Sequence, residues 1–203
     1  MKEVNIFIKL LLSLVISMTS ISCTQLLVGG TASGGIILVQ ERSPEQAAKD
    51  IIIKTKIEEA FFSTNYDDIF SKIKVIVFEG KVLLVGTVVN ESSKSSATSI
   101  VKNINGVKEI ADYIVVGKES VIDYLKDARI SLEFKAMLLT DKAISEVNYS
   151  STTENRILYI IGVSQNQEEL DKVLYHAANV AGVRKIINLV VDKNSPSRKT
   201  SNE

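Results

Sequence analysis

Few side chains in this sequence could make or break a bond. Its 203 residues hold one cysteine, Cys23, and one histidine, His176. A lone thiol cannot close an intramolecular disulfide, so Cys23 is a point of covalent attachment, a nucleophile or an incidental residue of the segment that holds it. One imidazole excludes a multi-histidine metal site. His176 lies beside Leu174 and Ala177 in a helical pattern, where a solvated or half-buried helix position is expected and not a catalytic base. The acid pairs Glu58-Glu59, Asp67-Asp68 and Glu168-Glu169 fall on predicted helix faces and turns, where carboxylates are solvated. No GxSxG, HExxH, CxxC or EF-hand loop occurs, and these are the patterns of acyl transfer, zinc, redox and calcium chemistry. No catalytic residue, metal ligand or cofactor is therefore assigned, and what remains is charged and apolar surface. Lys126, Arg129 and Lys135 stand on one predicted helix with Tyr124, and Lys142 follows it. Asp123, Asp127 and Glu133 share that helix and oppose the cluster. With 24 basic and 24 acidic residues, the chain has no overall positive field to gather nucleic acid.

The elements that position these residues come in two copies. Residues 81–116 and 157–192 share their landmarks: Gly86 returns as Gly162, and Gly106-Val107 as Gly182-Val183, both at a spacing of 76 residues. Each copy reads as an apolar strand, a glycine, an amphipathic helix, a Gly-Val turn and a second apolar strand. A right-handed crossover makes those two strands parallel. Ahead of the first copy, Ser43-Pro44-Glu45-Gln46 marks a helix start, with an N-cap serine, a first-turn proline and the glutamine of a capping box. That helix runs to about Phe62 with Ile53, Ile57, Ala60 and Phe61 on one face. A strand through Ile73, Val75 and Val77 then turns at Glu79-Gly80 into the repeat. Ala97, Ile100, Val101 and Ile104 line the second helix, which Gly106 is expected to end.

After a linker at 117–120 the scheme recurs. A helix over 121–139 turns Ile130, Phe134, Met137 and Leu138 inward, and a more polar strand passes through Val147, Tyr149 and Ser151. Arg156 stands in the next turn where the first copy has Gly80, and Ser164 to Gln167 reads as a second capping box. Gly86 and Gly162 are read as structural, letting the chain bend into the crossover or a helix approach the sheet. The fold class is α/β (α+β), with the order helix, strand, strand, helix, strand in 43–117 and again in 121–192. A domain of about 70 residues buries only roughly 60% of its unfolded surface, so docking of one copy on the other is expected. Residues 193–203, polar and holding Pro196, are expected as a disordered tail.

The first 22 residues differ from the rest. Lys2 and Lys9 precede an apolar run to Ile21, the arrangement of an export signal, too short to span a ~30 Å hydrocarbon layer. Ser20-Ile21-Ser22 before Cys23 resembles the lipobox of bacterial lipoproteins, in which the cysteine carries acyl chains and becomes the first mature residue. That resemblance implies lipidation at Cys23 and durable attachment to a membrane. Thr24 and Gln25 supply no inner-membrane retention aspartate, which implies the outer membrane. Residues 23–42, with Gly29, Gly30, Gly34 and Gly35, read as a lipidated Gly-rich tether. They hold no GxxxxGK[ST] or GxGxxG for phosphate.

The amphipathic helix, GKVLLVG, the helix ending in NGV and the apolar strand, repeated as TTENRILYIIG and VAGVRKIINLVV, resemble the BON domain. With the lipobox and tether they are similar to the dual BON-domain outer-membrane lipoproteins, the DolP and OsmY-like group, over residues 43–192. The resemblance implies that each domain lays two helices on one face of a three-stranded mixed sheet. It implies a non-enzymatic protein, lipid-anchored at the periplasmic face of the bacterial outer membrane and supporting its integrity. It further implies binding of anionic phospholipid through the second domain, with Tyr124, Lys126, Arg129 and Lys135 as candidate contacts. The rival expectation is an adaptor for outer-membrane assembly or peptidoglycan-remodelling proteins, working through sheet edges or the interdomain groove.

Overall fold

The first helix starts where its capping residues place it. In the computed structural model, which describes residues 40–118 and 120–199, the Gln46 amide donates to Ser43 Oγ at 3.1 Å and α1 spans Pro44–Thr64. The export segment, Cys23 and the glycine-rich stretch up to residue 39 lie outside the described residues. A π-helical turn, Tyr66–Phe70, leads to β1 (Ile73–Phe78), β2 (Lys81–Val88), α2 (Glu91–Lys102) and β3 (Glu109–Val116). The second repeat follows with α3 (Val121–Thr140), β4 (Tyr149–Glu154), β5 (Ile157–Ser164), α4 (Gln167–Asn179) and β6 (Lys185–Asp192), and a short α5 (Pro196–Lys199) comes after it. Each repeat forms a three-stranded mixed sheet. The central strand, β2 or β5, is antiparallel to β1 or β4 and parallel to β3 or β6.

Alternation along the central strands assigns their two faces. Val82, Leu84 and Val88 meet Ile53, Ile57 and Phe61 of α1 and Ala97 and Val101 of α2. Leu158 and Ile160 likewise meet Ile130, Phe134 and Leu138 of α3 and Val173 and Ala177 of α4. The intervening residues, Leu83 and Val85 of one repeat and Tyr159, Ile161 and Val163 of the other, join Phe78 in a third core. The two sheets therefore face each other between two helical layers. Both faces of β2 and β5 are covered, which accounts for the unbroken apolar runs of these strands. Burial, with the Glu154 charge beside it, pushes the Tyr159 hydroxyl up to about 12.

One polar clasp crosses the margin of this interface. The Lys74 ammonium of β1 donates to Glu154 Oε2 at 2.9 Å and to the Thr153 carbonyl at 2.7 Å. Glu154 also accepts from the Thr87 hydroxyl of β2, and Asn155 Nδ2 donates to the same hydroxyl oxygen at 3.1 Å. Among the described residues, the three apolar cores span Ile53 to Val191. Both sheets and the four helices that cover them lie within residues 44–192, so the fragment from residue 40 onward is expected to fold.

Several expectations need correction. Gly86 and Gly162 serve neither a bend nor a helix approach. They lie opposite Ile73 and Tyr149, and a Cβ on either would overlap a backbone carbonyl oxygen, that of Lys72 or Asn148. Ser164 does not cap α4; it ends β5, and Asn166 caps the helix by accepting from the Glu169 amide at 2.9 Å. The second helices stop at Lys102 and Asn179, before Gly106 and Gly182, which take φ +96° in the following turns. Val147 belongs to a 3-10 turn and not to β4. The tether ends early: the Glu41 amide donates to Asn148 Oδ1 at 2.8 Å and Arg42 pairs with Asp50. The expected disordered tail is seated as far as α5, because Arg198 binds Glu79 through two nitrogens at 2.6 and 2.9 Å and reaches the Glu41 carbonyl.

Candidate functional site

Helix α3 has two apolar sides. Ser120 caps it by accepting from the Asp123 amide at 3.1 Å, and no proline or glycine interrupts its 20 residues. Ile130, Phe134 and Leu138 face the core, with Asp127 on the same side. The opposite side carries Val121, Leu125, Leu132 and Leu139, exposed by 77%, 61%, 71% and 62%. Ala128 and Ala136 are exposed between them. At roughly 3.6 residues per turn these six form a continuous outward stripe. Ile122 adds to it. An outward apolar stripe of this length on a helix is the mark of a contact surface.

The expected contact residues border this stripe. Tyr124 is exposed along one flank with Lys135, and Arg129 lies along the other. The positive cluster, however, is largely neutralised. Lys126 pairs with Asp123 at 3.2 Å and Arg129 with Glu133 at 3.2 Å, while Lys135 stands 3.9 Å from Glu146. Arg129 also donates to the Ala181 carbonyl at 2.6 Å, which ties α3 to the Gly182 turn. The Ser120 hydroxyl, and then Lys126, hold the Asp123 carboxyl below the usual carboxylate range. Asp127 does not oppose the cluster: it is buried and accepts from the Asn155 and Arg156 amides at 2.6 and 2.8 Å.

Sequence reasoning missed the stripe itself. Its signal was present as a second run of leucines offset from the core run on the same helix. The two repeats also diverge there. Aligning Asp50 with Asp127 places Ile53, Ile57 and Phe61 on Ile130, Phe134 and Leu138. On the outer side the same alignment puts Thr55, Glu58 and Glu59 where the second repeat has Leu132, Lys135 and Ala136. The core requirement is shared, whereas the outer side of α1 exposes Ile51, Ile52 and Phe62 but is broken by Thr55, Glu58 and Glu59 where α3 runs on with Leu132 and Ala136.

His176 is tied into the fold. His176 Nε2 meets Asp141 Oδ2 at 2.8 Å, joining α4 to the turn after α3. That hydrogen bond, and then the Ala143 amide, hold Asp141 below the usual carboxylate range. Among the described residues, no group of three or more His, Cys, Asp or Glu stands where it could hold a metal ion. No helix among them is long and apolar enough to cross a membrane. The broad face between the repeats is filled by side chains, so the expected interdomain groove survives only as clefts at its margin.

The sequence profile of the BON domain matches residues 49–118 and 126–192. A protein of Anaplasma centrale described as "Uncharacterized protein in gshII 5'region" is 35% identical over 152 residues, covering 74% of this chain and 99% of the relative. Outer membrane lipoprotein DolP of Haemophilus influenzae is 23% identical over 168 residues, 82% of this chain and 86% of its own. Osmotically-inducible protein Y of Escherichia coli is 28% identical over 143 residues, 68% of this chain and 70% of its own.

Proposed function

The chain belongs to the BON-domain family, and from that premise we propose a lipid-anchored, non-catalytic protein of the bacterial envelope whose second repeat reads anionic phospholipid through the outward face of α3. The observation that carries this reading is the stripe of Val121, Leu125, Leu132 and Leu139 with Arg129 and Lys135 along its flanks. Magnitudes favour apolar contact over charge. Fully burying a leucine or valine side chain is worth about 1.5–3 kcal/mol, while a basic residue near an anionic surface contributes about 1 kcal/mol. Lys126, Arg129 and Lys135 already spend part of that on neighbouring carboxylates. The leucines seat the helix in the acyl boundary, and the cations and Tyr124 meet the headgroups above it.

Vesicle sedimentation tests this. The fragment of residues 40–203 is expected to co-sediment with phosphatidylglycerol vesicles and to lose at least about tenfold in affinity in the double variant Leu125→Asp/Leu132→Asp. Both positions are exposed, so the thermal midpoint should not move. Wild-type affinity in that variant would sink the reading.

The anchor is proposed at Cys23, for membership of the periplasmic face of the outer membrane, where the protein supports membrane integrity. Similarity to an outer membrane lipoprotein supports this. In growing cells, Cys23→Ala is expected to abolish radiolabelled palmitate incorporation and to move the protein to the soluble fraction. Undiminished label in that variant would place the acyl chain elsewhere.

A further inference from the structure

The first repeat carries an exposed aromatic cluster that the α3 reading does not use. Phe62 and Tyr66 are 58% and 53% exposed. With Phe70 they form a closed triad of rings whose centroids lie 5.4–5.5 Å apart. The backbone beneath is held by secondary structure: Phe62 lies in the last turn of α1, and Asn65 caps the π-helical turn by accepting from the Asp68 amide at 2.9 Å. Phe70 does not stop at its own repeat. It lines a marginal cleft of about 520 Å³ together with Ile73, Lys72 and, from α3, Val121 and Tyr124. Phe70, the inner member of the triad, and Val121 at the start of the α3 stripe therefore line one cleft, and Phe62 and Tyr66 adjoin it through their ring contacts with Phe70.

We propose that the Phe62–Tyr66–Phe70 cluster is a second bilayer contact, so that a phospholipid surface is touched by both repeats at once across this cleft. The inference rests on the α3 reading, because continuity with that stripe is what identifies the occupant. Aromatic rings concentrate at the membrane–water boundary, where an apolar body and a polar tip are both satisfied, and Tyr66 and Tyr124 each offer both. Lys72, exposed on the cleft, complements lipid phosphate. Asp67 is exposed beside the triad and Asp68 is tied to Asn65, so the contact is shallow and aromatic rather than electrostatic. Two contacts on different repeats fix the orientation of the body on the membrane, which one helix alone would leave free to roll.

The test uses the 40–203 fragment, which lacks Cys23 and so contains no cysteine. An environment-sensitive fluorophore is attached at Tyr66→Cys in one preparation and at Leu125→Cys in another, and vesicles of phosphatidylglycerol and phosphatidylethanolamine with and without doxyl-labelled lipid are added. Both labels are expected to shift and to be quenched by the doxyl groups. The unlabelled double variant Phe62→Ser/Tyr66→Ser is expected to bind about tenfold more weakly while its circular dichroism at the assay temperature stays that of the folded protein, the lost ring contacts lowering only its thermal midpoint. Quenching at Leu125→Cys alone, with undiminished binding of the double variant, overturns the inference and leaves the α3 reading standing. Quenching at neither position overturns both. A dimer in solution that the double variant dissolves would assign the cluster to a second copy of the chain, and this too would overturn the proposal.

Discussion

Gly86→Ala is expected to unfold the first repeat and Gly162→Ala the second, each at a cost of roughly 3 kcal/mol or more. Both glycines lie inside the central strand, opposite the first residue of the antiparallel edge strand. A Cβ at Gly86 would overlap the Lys72 carbonyl oxygen and stand 3.0 Å from Ile73 Cα. At Gly162 it would overlap the Asn148 oxygen and stand 3.0 Å from Tyr149 Cα. These obstacles are backbone, so no rotamer change relieves them. Relief requires the edge strand to move away from the sheet, and Ile73 or Tyr149 then leaves its core. Gly117 is the control, since a Cβ there meets only Thr87 Cγ2 at an ordinary 3.5 Å. Gly117→Ala should therefore change stability by less than about 0.5 kcal/mol. Urea unfolding followed by circular dichroism measures all three variants. A Gly86→Ala protein with the wild-type midpoint would mean that the edge strand does not approach as described.

The same two glycines show how far the sequence could be read and where it stopped. Their recurrence at one spacing was visible, and it marked the duplicated crossover correctly. The reason for it was not visible, because it lies in a backbone approach from residues 72 and 148, which no local pattern records. Face assignment succeeded wherever one face of an element is apolar and the other polar. Ile53, Ile57 and Phe61, and Ala97 and Val101, are buried as their spacing predicts. It also placed Ile130, Phe134 and Leu138 of α3 inward, as they are, but it did not read the second row of leucines on that helix, because a core stripe once found leaves the other face unexamined. The unbroken apolar runs of β2 and β5 did carry a signal of two-sided burial, and it points directly to the sheet-on-sheet interface. The candidate site was legible as a helix and as flanking cations, but its apolar centre emerged only once the core had claimed the opposite face.

Asp127→Ala is expected to lower stability by roughly 2–3 kcal/mol, because two partly buried turn amides, those of Asn155 and Arg156, lose a charged acceptor at once. A helical aspartate among lysines and glutamates reads as solvated, yet Asp127 is 2% exposed. It holds the β4–β5 turn by accepting from the Asn155 and Arg156 amides. Asp50 does the same for the β1–β2 turn, at 2.8 and 2.9 Å from the Glu79 and Gly80 amides. The two turns differ in one respect that makes the second more dependent on its aspartate. Gly80 takes φ +81° without a side chain, whereas Arg156 is held at φ +61° with one, a conformation that costs a non-glycine residue about 1–2 kcal/mol. Arg156→Gly is therefore expected to return about 1 kcal/mol to the Asp127→Ala protein. It should do so without restoring wild-type stability, because the orphaned amides remain. Chemical unfolding of the two single variants and the double variant measures this. Full recovery in the double variant would show that turn strain, and not the carboxylate bonds, is what Asp127 offsets; no recovery would show that Arg156 is unstrained.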